Sequence, residues 1–253
     1  MPFVDIPGGR LWAEEVGTGP PLLCLHSGWG LAAMPFDDAR AVLGRSYRMI
    51  FADRRGYGRS TPVDLFPPTY HHDAMVDLVH FLDRLSIDRA IFWGHSDGAI
   101  TAAMLAARHP ERVSALVLEA IHFYRAKSRD FFERFAREPD ALPGHVVERL
   151  RADHGEEYWR EVIRMHSRAW LGFHDGGGDF YEGLLEEIRC PTLVLYGEND
   201  PHTPPGEVAE LAKHLRLAEL EPVMGGGHSP HSEPATARFC SERVKRFLGE
   251  HGL

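Results

Sequence analysis

A chain of 253 residues can hold one large α/β domain, with or without an insertion, around a substantial core. Hydrophobic residues make up 43% and charged residues 26%, proportions ordinary for a globular protein. The net charge of −9 argues against a general nucleic-acid binder, which needs a basic face.

From the N-terminus, FVDI (3–6) and RLWAEEV (10–16) read as an antiparallel pair joined by the turn residues Pro7-Gly8-Gly9. The compact apolar runs PLLCL (21–25), YRMIF (47–51), AIFW (90–93), VSALVL (113–118) and PTLVLY (191–196) suit strands buried on both faces of a mostly parallel sheet. Between His71 and Leu85, the residues Met75, Leu78, Val79, Leu82 and Leu85 recur at helical spacing. Small and apolar side chains over 98–108 predict a helix packed deep against the sheet, and 233–248 closes the chain with another helix. Strands alternating with helices imply a parallel sheet covered on both sides. The interval from His122 to Arg189 breaks the rhythm: it is rich in Arg, Glu and aromatic residues, lacks a convincing strand and contains HDGGGD (174–179). It reads as a mostly helical insertion.

The three cysteines, Cys24, Cys190 and Cys240, show no C-x-x-C spacing, so free thiols and a reducing compartment are expected. The N-terminus lacks a secretory pattern and no apolar run reaches membrane-span length, which makes a cytoplasmic location the expectation.

Gly94-His95-Ser96-Asp97-Gly98 fits G-x-S-x-G with a strand before it and a helix after it. Such a turn strains the serine backbone and tolerates only small neighbours, which leaves Ser96 Oγ projecting from the top of the sheet. A helix N-cap serine is the plainer alternative. A serine nucleophile needs a general base held by an acid. Asp200, in YGENDPHTP after the 191–196 strand, and His228, in the glycine-rich LAELEPVMGGGHSPHSE, follow in the expected order. His231 is the rival base and Glu119 the rival acid. In HSGWG after the 21–25 strand, Gly28 is the expected oxyanion donor, with Trp29 as the alternative; the backbone N–H of Asp97 is the second donor. His26 is expected to order that loop.

Together HSGWG, ADRRGYGRS (52–60), GHSDG, YGENDPHTP and GGGHSPHSE resemble the α/β-hydrolase fold superfamily of serine hydrolase and esterase type. The resemblance implies an eight-stranded, mostly parallel sheet flanked by helices. A helical cap follows the sixth strand, giving a core of 1–121 and 189–253 with a cap of 122–188. The first loop departs from the family by reading His-Ser-Gly where His-Gly is usual. A serine nucleophile points to acyl transfer, whereas dehalogenases and epoxide hydrolases of this fold use aspartate.

The Ser-Asp-Gly of the elbow resembles valacyclovirase-like hydrolases, in which that aspartate recognises an α-amino group. Two readings of the Asp97 side chain follow: it turns away to satisfy the helix N-terminus, or it faces the pocket and pairs with a substrate cation. Trp29, His122, Phe123, Tyr124 and Trp170 are the expected substrate-binding residues, while most aromatics of the insertion, such as Trp159, Phe173 and Tyr181, are expected to form its core. Arg54 and Arg55 are expected to be scaffolding. His71-His72 reads as a helix start with no metal-ligand set around it.

The function expected is cleavage of a small carboxylic ester, lactone or thioester through an acyl-enzyme on Ser96, with no cofactor and no metal. The partner is a small-molecule substrate, not nucleic acid or a membrane, and a monomer or a homo-oligomer fits equally. A cofactor-free C–C bond hydrolase or lyase using the same residues is the alternative, and a non-catalytic ligand-binding member is a further one.

Overall fold

The computed structural model describes residues 2–125, 128–203 and 205–253. Met1, Ala126 and Lys127 (inside the 122–188 interval) and Pro204 (the last residue of YGENDPHTP) lie outside the described residues.

The first hairpin pairs β1 (Phe3–Ile6) with β2 (Gly9–Val16); Ile6 faces Gly9 across the turn, where Gly8 takes a φ of +77° that favours glycine. Next come β3 (Pro21–Leu25), α1 (Asp37–Leu43), β4 (Arg48–Ala52), α2 (Tyr70–Arg84), β5 (Ala90–His95), α3 (Asp97–Arg108) and β6 (Val113–Glu119). A helical stretch follows, with α4 (Arg129–Arg137), α5 (Gly144–His154) and α6 (Tyr158–Gly176). The chain then returns to the sheet with β7 (Thr192–Gly197), α7 (Pro205–His214), β8 (Ala218–Val223) and α8 (Ala237–Glu250). The eight strands lie in the order β1-β2-β4-β3-β5-β6-β7-β8. β1, β2 and β4 pair antiparallel, and every pairing from β4 through β3 to β8 is parallel.

The apolar runs are continuous because both faces of the sheet are covered. On β5, Phe92 joins the cluster that packs under α2 and α3, while Ile91 and Trp93 join the cluster under α1 and α8. β3 divides likewise, Leu23 and Leu25 to one face and Leu22 and Cys24 to the other. All of these side chains are buried, each large one stabilising the fold by about 1.5–3 kcal/mol. Between β6 and β7, α6 serves two cores. Val162, Met165 and Trp170 pack into the main cluster, while Trp159 and Ile163 form a smaller one with Phe135, Leu150 and Ala33.

α3 presses on the sheet through Ala99, Ala102, Ala103 and Ala106, and small side chains permit that approach. At its first turn a Cβ on Gly98 would lie 2.3 Å from the Leu25 carbonyl oxygen, and one on Gly94 would lie 2.4 Å from the Gly98 oxygen. These neighbours are backbone and cannot swing aside. Gly98→Ala should therefore destabilise the protein by about 3 kcal/mol, the upper part of the overpacking range. Urea unfolding checks this; a loss below about 0.5 kcal/mol would contradict the close approach.

Candidate active site

Ser96 occupies φ +53° and ψ −116°, a conformation that non-glycine residues rarely adopt. Its side chain makes no capping bond to α3, so the N-cap alternative does not describe it. Instead the Oγ lies 3.2 Å from His228 Nε2. His228 Nδ1–H donates to Asp200 at 2.9 and 3.0 Å. Hydroxyl, imidazole and carboxylate thus stand in one row at the ends of β5, β8 and β7.

The sequence places them there through loop chemistry. Asp200 Oδ1 also accepts the His202 N–H at 2.8 Å, an Asx turn that fixes the carboxylate before the helix α7. A Cβ on Gly197 would lie 2.0 Å from the Gly227 oxygen, so two glycines let the Asp200 and His228 loops meet. Burial would raise the Asp200 carboxyl, but the hydrogen bond and attraction of His228 hold it well below the ordinary range.

The loop after β3 is tied down from behind. His26 Nε2 accepts the Arg54 N–H at 3.0 Å, which leaves Nδ1–H to donate to the Ser27 carbonyl at 2.6 Å. Burial, and then the Arg54 guanidinium, push His26 far below the usual histidine range, so it stays neutral. Arg54 Nη2 donates to the carbonyls of His26 and Ser27 at 3.2 and 2.7 Å. The Trp29 N–H points to Ser27 Oγ at 3.4 Å. Gly28 is obligatory, since a Cβ there would sit 1.9 Å from His166 Nε2 and 2.6 Å from Asp97 Oδ2.

The Asp97 carboxylate does not cap α3. Asp97 is among the residues lining the cavity beside Ser96, but it is only 1% exposed and its carboxylate is held by four protein donors. Oδ1 accepts from the Tyr70 hydroxyl, from His71 Nε2–H at 2.7 Å and from Trp170 Nε1–H at 3.1 Å; Oδ2 accepts from His166 Nε2–H at 3.1 Å. Burial would raise this carboxyl, but the attraction and hydrogen bond of His166, then those of His71, hold it well below the carboxylate range. His71, the expected helix start, is thus a buried donor from α2.

Ser96, Asp97, Gly28, Trp29 and His228 all line one cavity of about 160 Å³. Its apolar wall comes from Met34, Phe131 and Phe132, and His166 and His202 add polar edges. Four of the five expected substrate-binding residues lie elsewhere. His122 is fully buried with its ring stacked 5.7 Å from that of His228. Phe123 packs on His214, and its amide and that of Tyr124 donate to Glu207 Oε1 at 2.7 and 2.9 Å. Tyr124 faces outward, 43% exposed. Trp170 stands behind Asp97. The chain turns away after β6 to meet α7, so adjacency to the strand end does not place these rings at the cavity. Phe131, Phe132, His166 and His202 line the cavity but were not among the expected residues; the aromatic density of the insertion was the one signal for the first three, and His202 sits in the same YGENDPHTP stretch as Asp200. Arg55 is scaffolding as expected, bonded to Asp77 and to the carbonyls of Pro7 and Gly8.

Two further histidines are buried neutral beside His26: burial pushes His71 down to about 4 and His95 down to about 3, from an ordinary 6.5. Unfolded, they take protons below 6.5; folded, they do not until those lower values. The unfolded state therefore binds more protons in that window, so stability is full above about pH 6.5 and falls as the pH drops toward 4. Below that, the depressed Asp97 and Asp200 carboxyls extend the loss as they protonate. Thermal unfolding between about pH 7.5 and 4.5 should show Tm falling from about 6.5 downward, and a constant Tm would contradict the buried neutral rings.

A family model described as the alpha/beta hydrolase fold matches residues 20–169. The chain is 26% identical to the serine hydrolase BPHL of Homo sapiens over 249 residues, covering 94% of this chain and 82% of that one. It is 31% identical to a 2-hydroxymuconate semialdehyde hydrolase of Pseudomonas sp. (strain CF600) over 267 residues, covering 96% and 92%. Among solved structures, the enol-lactonase of Burkholderia xenovorans LB400 is similar with a TM-score of 0.76 at 22% identity, covering 98% of this chain and all of that one. At that identity the likeness speaks for the fold. With a matching family model, an eight-stranded sheet and a serine elbow at the end of β5, the chain belongs to the α/β-hydrolase fold family and is a hydrolytic enzyme.

Proposed function

We propose that this enzyme is a serine hydrolase that cleaves a small carboxylic ester, lactone or thioester through an acyl-enzyme on Ser96. The observation that carries the reading is the row Ser96–His228–Asp200, at 3.2 and 2.9 Å, opening into a cavity of about 160 Å³. His228 Nε2 takes the hydroxyl proton as Ser96 Oγ attacks the carbonyl carbon. Asp200 holds the imidazole by its Nδ1–H and stabilises the imidazolium that forms.

The oxyanion is held by the backbone N–H groups of Gly28 and Asp97. As the first residue of α3, Asp97 has no intrahelical partner for its N–H. Gly28 is preferred to Trp29, whose N–H is already directed to Ser27 Oγ. His228 then returns the proton to the leaving alcohol or thiol, and the acyl group stays on Ser96. Water, deprotonated by His228, attacks the acyl carbonyl and releases the acid.

The cavity's size and its Trp29, Met34, Phe131 and Phe132 lining favour short, uncharged substrates. The helices between β6 and β7 act as a cap, since α4 and α6 supply Phe131, Phe132 and His166 to the wall. Three buried, unpaired cysteines support a reducing, cytoplasmic setting. Among the described residues, no helix is long and apolar enough to cross a membrane.

A second reading, C–C bond hydrolysis by the same residues, draws support from the 31% identity to the 2-hydroxymuconate semialdehyde hydrolase. Product analysis separates the two: an ester yields acid and alcohol, whereas C–C cleavage yields an acid and a carbon-acid product.

Two kinetic outcomes follow. With p-nitrophenyl acetate, Ser96→Ala and His228→Ala should each lower kcat by about 10⁴–10⁶-fold in folded protein, and a loss under about tenfold would remove the mechanism. Because Asp97 already accepts four protein donors, Asp97→Asn should reduce turnover of an α-amino ester and of an uncharged ester of equal size to the same extent. A selective loss of the amino ester by about tenfold or more would instead establish amine recognition.

A further inference from the structure

Beneath the Ser96–His228–Asp200 row lies a second acid–histidine pair that no step of the reaction uses. Glu119 ends β6, and His231 sits three residues beyond His228; both side chains are completely buried. Glu119 Oε1 accepts from His231 twice, from the ring Nδ1–H at 2.7 Å and from the backbone N–H at 3.0 Å. Its Oε2 accepts the Trp93 Nε1–H at 2.9 Å. The other end of the ring, Nε2, faces the Met34 carbonyl at 3.2 Å, in the segment between β3 and α1 that also carries Gly28. The elbow is joined in as well. His95, the residue before Ser96, donates from Nε2 to the carbonyl of His228 at 2.9 Å.

His95, Glu119 and His231 bring ligand-type atoms within 4.8 Å of one another, and here Glu119 takes the His231 Nδ1–H as its partner. The cluster is a junction of three loops: the one bearing His228, the one bearing Gly28 and the one bearing Ser96. Its composition is costly for a purely structural part. A fully buried carboxylate with a polar ring is rarely more stabilising than apolar side chains of the same volume. Directional bonds supply what apolar packing does not, a fixed register between backbones.

We propose that Glu119 and His231 are positioning residues that hold the His228 loop in register with Ser96 and with the oxyanion loop. The proposal rests on the serine-hydrolase reading. Loss of the pair lets His228 Nε2 drift from Ser96 Oγ, and a displacement near 1 Å costs about 10²-fold in rate. The pair acts through His228 and touches no substrate, so the effect falls on kcat and leaves KM in place.

The test compares His231→Phe and His231→Gln with the native enzyme on p-nitrophenyl acetate, with kcat expressed per active site titrated by a fluorophosphonate. His231→Phe keeps the ring contact with Phe36, 4.2 Å between centroids, and leaves Glu119 its Trp93 and backbone donors while removing the ring hydrogen bond to Glu119 and the ring nitrogen facing the Met34 carbonyl. The expected result is a fall in kcat per titrated site of about 10–100-fold with KM within about twofold. His231→Gln, which restores a donor toward Glu119, should recover part of the loss. Simple destabilisation would reduce the number of titratable sites and leave kcat per site unchanged. Native kcat per site in folded His231→Phe overturns the proposal; if that variant does not fold, native kcat per site in His231→Leu, which likewise leaves no side-chain donor toward Glu119, overturns it equally. A native enzyme that neither labels nor turns over ester removes the serine-hydrolase reading and this proposal with it, an outcome distinct from an active native enzyme with unaffected variants.

Discussion

The site depends on the backbone of one residue. Ser96 is held at φ +53° at the junction of β5 and α3, a conformation costing about 1–3 kcal/mol that the surrounding packing must enforce. The enforcement is a stack of backbones: α3 lies against the end of β3 at Gly98, and the elbow folds over Gly94. Burial of β3, β5 and β6 on both faces makes this stack rigid enough to keep the strain. The strained turn presents Oγ to His228 instead of to the helix N-terminus.

In the proposed reaction a carboxylate immediately after Ser96 looks electrostatically adverse, because negative charge would develop nearby on attack at the carbonyl. The protein answers by giving that charge partners from several directions. Tyr70 and His71 from α2 and His166 and Trp170 from α6 all donate to Asp97. The Arg54 guanidinium lies behind the loop after β3, stacked 4.9 Å over Tyr57 and bonded to the carbonyls of His26 and Ser27. Asp97 thereby becomes the point where α2 and α6 are fastened to the elbow. The backbone N–H of the same residue remains available at the helix start.

Much of the framework was readable in the residues. The strands of the parallel sheet announce themselves as apolar runs because both faces are buried, and PLLCL coincides with β3 residue for residue. Ser96, Asp200 and His228 were legible because each follows a strand, and strand ends converge on one edge of a parallel sheet. The seven-residue α1 and the short α7 carry too little periodicity to stand out. The pairings of His71 and His166 with Asp97 are separated by 26 and 69 residues and exist only once α2 and α6 have packed. Phe123 and Tyr124 show the reverse failure, since proximity in sequence to a strand end does not decide which way the following turn faces. Glu119 and His231 were each legible as rivals to Asp200 and His228, but not as partners of one another.

The chain's relatives span an enol-lactonase, a 2-hydroxymuconate semialdehyde hydrolase and a human serine hydrolase at 22–31% identity, so the common element among them is the fold and the substrate is set locally. Here the cavity beside Ser96 is walled by Trp29, Phe131 and Phe132, with Asp97 also in its lining. Everything in this account turns on an activated hydroxyl at Ser96. The most direct measurement is intact-mass and peptide mapping after exposure to a fluorophosphonate. The account predicts one adduct per chain, located on Ser96. A well-folded protein that takes no adduct, or takes it on another residue, would contradict it.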